Sequence, residues 1–143
     1  MGEKSDFPED LVALEEARVL ARRDLDWYVR TVEVERRAAY PDPEKVVERC
    51  MWPDDLLNRW YGLREAYARA AAAVKAHPLL VQARAEGRLW PVEAQLRGQV
   101  PRVEVHRAPG GAERVVVLVD GVAQDTPAGG VVPGQGGVER AAA

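Results

Sequence analysis

Along the first third of the chain, apolar residues return at Leu11, Leu14, Ala21, Leu25, Tyr28 and Val32, three and four positions apart, with Arg18 as the interruption. That spacing predicts an amphipathic helix, because at 3.6 residues per turn these side chains share one seam. A second apolar set, Ala13, Leu20, Trp27 and Val34, recurs every seven residues and lies about 200° around the same helix. Both faces need a cover. "SDFPED" predicts the start of this helix, with Asp6 as N-cap, Pro8 in the first turn and Glu9 completing a capping box. "YPDP" predicts its end near Tyr40, since proline keeps the residue before it out of the helical region. About 32 residues at 1.5 Å each would span roughly 48 Å, more than the diameter of about 37 Å for a compact chain of this length. The helix therefore either breaks in "WYVRTVEVE", whose valines also alternate as in a strand, or packs against another subunit. A continuous helix is the preferred reading.

Asp42 and Pro43 read as the cap and first residue of a short helix, "PEKVVERCM", after which "WPDDLL" starts a third helix from about Pro53 to Ala76. Its apolar positions, Leu56, Trp60, Leu63, Tyr67, Ala70 and Val74, keep an unbroken four-three alternation, so it is expected to pair with the first helix as an antiparallel hairpin. A further short helix from Pro78 should end at Gly87, and "WPVEAQLRG" adds a turn or two before Gly98. The period then changes from helical to alternating. Val100, Val103 and Val105, an "APGG" turn, the run Val115 to Val119 and the pair Asp120-Gly121 predict a three-stranded antiparallel meander, with a type I′ turn at Asp-Gly.

The expected class is α+β. It comprises an arm over 1–7, a long-helix hairpin or bundle over 8–99, a small antiparallel β-meander over 100–125 and a flexible C-terminal tail over 126–143, which is rich in Gly, Pro and Ala.

Composition narrows the picture further. The 143 residues suffice for one domain. No window reaches the roughly 18 consecutive apolar residues of a membrane span, and "MGEKSDFPED" lacks the basic and then apolar character of a signal peptide. No membrane partner and a cytoplasmic location are expected. Cys50 is the single cysteine and is expected to be a small buried apolar side chain. The 17 arginines against three lysines, with no isoleucine, one serine and one asparagine, are the inventory of a GC-rich coding sequence. Arginine abundance is thus weak support for phosphate binding, and the net charge of −3 points the same way.

Candidate chemistry is sparse. The lone serine, Ser5, precedes the first helix; His77 sits at a helix end and His106 in a strand. Cys50 with His77 is the remaining nucleophile-base pairing, and no motif supports it. Asp54 and Asp55 fall in the first turn of a helix, where negative charge suits the dipole. "GQGG", residues 134–137, lacks the Lys-Ser/Thr and following helix of a phosphate loop. No catalytic residue, metal site or cofactor is expected.

The stretch "RWYGLREAYARAAAAVKAHP" interleaves aromatics with cations, as a nucleic-acid surface would. Yet Trp60 and Tyr67 fall on the apolar seam, whereas Arg59, Arg64 and Arg69 step by five residues and turn about 140° each time. Asp55–Arg59 and Glu65–Arg69 are expected i,i+4 pairs, which favours a solvated rim. The alanines at 68 and 70–73 narrow the helix for close approach. "VKAHPLL" after a helix that begins "WPDDLLNRW" resembles the small terminase subunits of tailed phages, across about a fifth of the chain. That resemblance implies a ring that holds DNA for a motor subunit. No helix-turn-helix precedes the first long helix here, and no residue role is carried over.

The favoured expectation is a non-enzymatic, oligomeric assembly or adaptor protein. Leu20, Trp27, Val34, Trp60 and Tyr67 carry its contacts, and its partner is a second copy or another protein. The alternative is a DNA-binding regulatory or packaging subunit that uses Arg59, Arg64, Arg69 and Lys75.

Overall fold

The computed structural model describes residues 6–108 and 114–124. Helix α1 runs unbroken over Glu9–Ala39, followed by a 3-10 turn at Pro43–Lys45 and the short helix α2 at Val46–Cys50. Helices α3 (Asp54–Ala76), α4 (Pro78–Ala85) and α5 (Leu89–Arg97) precede strands β1 (Val103–Arg107), β2 (Val115–Val119) and β3 (Val122–Gln124). The layout is α+β, with the helices first and one antiparallel sheet of order β1-β2-β3 after them. The flexible tail expected over 126–143 lies outside the described residues, as do 109–113, most of the expected "APGG" turn.

α1 and α3 pack along each other as the expected hairpin. At one end of it, Leu11, Val74, Leu80, Ala83, Val92 and Leu96 form a single buried cluster, with Phe7 of the expected arm packed against it. Further along, Tyr28 is 2% exposed, stacks edge-on with Trp52 at 6.2 Å and donates its hydroxyl hydrogen to the Leu56 carbonyl at 3.0 Å. Burial raises the ionisation of this phenol above its ordinary value, with Arg59 opposing in part. The unfolded chain therefore loses the Tyr28 proton first as pH rises, and ionisation favours unfolding. Unfolding free energy should decline once pH exceeds about 10, and Tyr28→Phe should flatten that decline in urea titrations.

The start of α1 departs from expectation. Pro8, not Asp6, occupies the N-cap position, with extended backbone and no side-chain cap, and its carbonyl accepts from Leu11 and Val12 N–H at 3.1 Å. A proline at position 8 keeps Phe7 out of helical backbone, so Asp6 stands too far from the first turn to cap it. Glu9 and Asp10 instead offset the dipole there. Asp42 does cap as expected, accepting from Glu44 N–H at 2.9 Å.

The sheet lies on the second face of α1. Register pairs Val103 with Val119 and Val105 with Val117, so these valines share one side of the sheet, and Val117 is buried. Leu20, Arg23 and Val19 of α1 line a cavity together with Val103, Val117 and Val119, which identifies the face of α1 that meets this side. Trp27 sits on that face one helical turn beyond Arg23 and is 7% exposed. The chain itself covers Trp27, whereas a neighbouring subunit was expected to. Asp120 and Gly121 take φ of 50° and 81°, as a type I′ turn requires, and Gly87 takes 71° after α4.

Candidate functional site

α2 is built inside out. Its polar residues face the protein: Arg49 donates to the carbonyls of Tyr40, Pro41 and Asp42, at 2.7, 3.3 and 2.7 Å. From α1, Arg36 donates to the carbonyls of Glu48 and Met51 at 2.5 and 2.8 Å. Tyr40 closes α1, and Glu48 and Met51 stand at the end of α2, so the two arginines act as caps there, while the Asp42 carbonyl also accepts from Lys45 N–H at 2.9 Å. The orientation that brings Arg49 inward turns the other side outward. Val46, Val47 and Met51 are 53%, 59% and 66% exposed. Cys50 stands exposed beside them, contrary to the expected buried side chain. Glu48 Oε2 and Arg36 Nε are buried without hydrogen-bond partners at this junction.

The expected interaction residues fall in three places. Trp27 is interior, Leu20 is 37% exposed at the sheet-facing cavity, and Val34 is half-buried. Trp60 and Tyr67 are half-buried on the α3 seam. Trp60 packs against Tyr61 at 5.1 Å and carries the Arg64 guanidinium 4.8 Å above its ring. Tyr67 carries Arg22 at 5.4 Å, and its hydroxyl accepts from Arg18 at 3.4 Å.

The cations expected for the nucleic-acid reading also separate. Arg64 and Lys75 line grooves on one side of α3. Arg69 pairs with Glu65 at 3.5 Å, as expected. Arg59 is half-buried with an unpartnered Nε, and its expected ion pair with Asp55 does not form.

Arg18, the break in the α1 seam, proves to be a polar plug. Its guanidinium donates Nε and Nη2 to the two carboxylate oxygens of Glu15 at 2.7 and 2.6 Å, and Glu15 is 2% exposed. The Glu15 hydrogen bonds, together with its charge, hold Arg18 protonated beyond the ordinary arginine range despite partial burial. This bidentate pair fills a seam position with no apolar group to offer.

Cys50 ends α2 and His77 ends α3, so the whole of α3, 23 residues or about 34 Å, separates the former pair of nucleophile and base candidates. His77 is the C-cap of α3, the helix end expected for it, and at the same time the N-cap of α4. Its Nδ1 accepts from Leu79 N–H at 3.1 Å, so the ring proton sits on Nε2 and points to Asp10 Oδ2 at 3.1 Å. One imidazole thus ties the α3–α4 junction to the start of α1. His106 is exposed on β1, its Nε2 3.5 Å from Glu104. Asp54 and Asp55 occupy the first turn of α3. Among the described residues, no group of three or more His, Cys, Asp or Glu side chains comes together, and no helix is long and apolar enough to cross a membrane.

Neither the sequence seam nor the aromatic-arginine stretch pointed to α2. The apolar pattern Val46, Val47, Cys50, Met51 was the available signal, but it says only that one side is apolar. Comparison with known proteins returns no matching family model, curated protein or solved structure, so the small-terminase resemblance draws no support from that source.

Proposed function

We propose that this chain is a non-enzymatic, cytoplasmic assembly protein whose copies associate through the α2 end of the helical hairpin. The supporting observation is the outward apolar side of α2, where Val46, Val47, Cys50 and Met51 stand together in water while charged residues point in. Clustered exposed apolar side chains on a folded domain mark a contact surface. A second copy suits this patch because it carries no charge that would select a partner of opposite sign, and an uncharged apolar patch meets itself across a two-fold axis. Such an interface places Cys50 near its equivalent.

Light scattering and sedimentation should detect a reversible dimer at micromolar to high-micromolar concentration. Val47→Glu with Met51→Glu should weaken it at least tenfold and leave helix content unchanged, because both side chains already face water. Mild oxidation should cross-link the dimer through Cys50, and the double variant should lose that product. A strict monomer at high-micromolar concentration, or a dimer indifferent to the double variant, would overturn the proposal.

A further inference from the structure

A second surface, separate from α2, has the features of a binding groove. On the side of α1 between α3 and the sheet, three cavities run into one another. The first, of about 580 Å³, is lined by Arg18, Arg22 and Arg97 and by the segment Val100–Val103. The next shares Arg18 and Arg97 with it and adds Tyr67 and Lys75. The last, of about 530 Å³, shares Arg22 and Tyr67 with its neighbours and ends at Trp60, Arg64 and Arg30. Shared lining residues make these one groove, which follows α1 from Glu15 to Arg30, roughly 22 Å or four helical turns.

Its walls combine two characters. Val19, Leu25, Val29, Ala68, Ala71 and Val103 supply an apolar lining along its length. Arg64, Lys75 and Arg97 have no carboxylate partner among the described residues, and they stand in a chain whose net charge is −3. The groove's lining carries seven Arg or Lys side chains against four Asp or Glu, so it is net positive in a net-negative chain. Arg64 is held by the Trp60 ring and Arg22 by the Tyr67 ring, so both guanidiniums are oriented before a ligand arrives.

We propose that this groove receives an acidic amphipathic helix from a partner protein. A helix laid between two packed elements uses apolar residues at i, i+3, i+4 and i+7 against the lining. Its carboxylates then meet the unpaired cations at the rim. Single-stranded nucleic acid is a poorer fit on two counts. The faces of Trp60 and Tyr67 that would stack bases are taken by Arg64 and Arg22. The groove's cations are also interrupted by the carboxylates of Glu15, Asp26, Glu93 and Asp120, so it offers separated positive sites, which suit the spaced carboxylates of a helix and not an unbroken line of phosphates.

The test is fluorescence anisotropy with the full chain and three labelled probes at about 50 mM salt, where the screening length is long enough for rim charges to act. The probes are an amphipathic Leu/Glu peptide of about 20 residues, long enough to cover four turns, the same peptide with every Glu replaced by Lys, and oligo(dT) of similar length. The Glu peptide should bind with tens-of-micromolar affinity, at least tenfold tighter than either other probe. Arg64→Glu with Arg97→Glu should weaken it at least tenfold while circular dichroism stays unchanged, since both side chains are on the rim. Val47→Glu with Met51→Glu should leave it unaffected, which separates this groove from α2. No binding of the Glu peptide, equal binding of the Lys peptide, tighter binding of oligo(dT), or indifference to the arginine reversals would each overturn the proposal. Loss of binding in the α2 variant would overturn it too.

Discussion

Trp27→Ala should lower the unfolding free energy by about 3–5 kcal/mol, the range for removing a large buried aromatic. The ring is 7% exposed on the side of α1 that meets β1 and β2, so its removal leaves a cavity within one chain. At roughly 3 °C per kcal/mol for a domain of this size, the melting temperature should fall by about 10 °C. Leu20 lies two helical turns away on the same face at 37% exposure, and Leu20→Ala should cost about 1 kcal/mol or less. Urea titration of both variants, with light scattering alongside, separates the two roles open to Trp27. A drop in stability with unchanged association is the expected outcome. Changed association with unchanged stability would mean that the ring is covered by another molecule.

Arg18→Ala should cost about 3–5 kcal/mol, because it strands the Glu15 carboxylate, 2% exposed, without its bidentate partner. Around it stand Val74 and Leu96, which offer no hydrogen bond. Removing both charges at once should be far milder. Glu15→Met with Arg18→Met should recover most of the loss, since a buried ion pair is often replaceable by apolar groups of similar volume. Glu15→Ala alone should fall between the two, because Arg18 keeps 23% of its side chain exposed and can turn toward water in the groove. A double-mutant cycle in chemical denaturation measures the coupling directly. If the double variant is as unstable as Arg18→Ala, the pair does more than neutralise one buried charge.

These two residues also show how far the sequence was legible. The interruption of the seam at position 18 was visible as a charge among apolar neighbours, but its partner three residues away was not. The groove cations were hidden in a similar way. Along α3 alone the arginines turn about 140° at each step, whereas the groove draws Arg64 and Lys75 from α3, Arg18, Arg22 and Arg30 from α1, and Arg97 from α5. The i,i+4 spacing of Arg18, Arg22, Asp26 and Arg30 was the signal that could have marked it.

By itself, the sequence determined the elements: the unbroken seam of α3, the length of α1, the caps at Asp42 and Gly87, and the meander with its Asp120-Gly121 turn. These depend on local backbone preference and side-chain period, which neighbours within a few residues set. Tertiary structure decided what covers each face. The second apolar stripe of α1 announced a need for cover, and strands about 80 residues later met it within the chain. α2 is too short for a period to say which side is inward. Its orientation came from orphan carbonyls at helix ends that Arg36 and Arg49 had to satisfy. A buried carbonyl without a donor costs about 1–3 kcal/mol, comparable to leaving a valine in water. The part-buried carbonyls of Tyr40 and Glu48 draw in the two arginines, and satisfying them leaves the apolar side of α2 facing out.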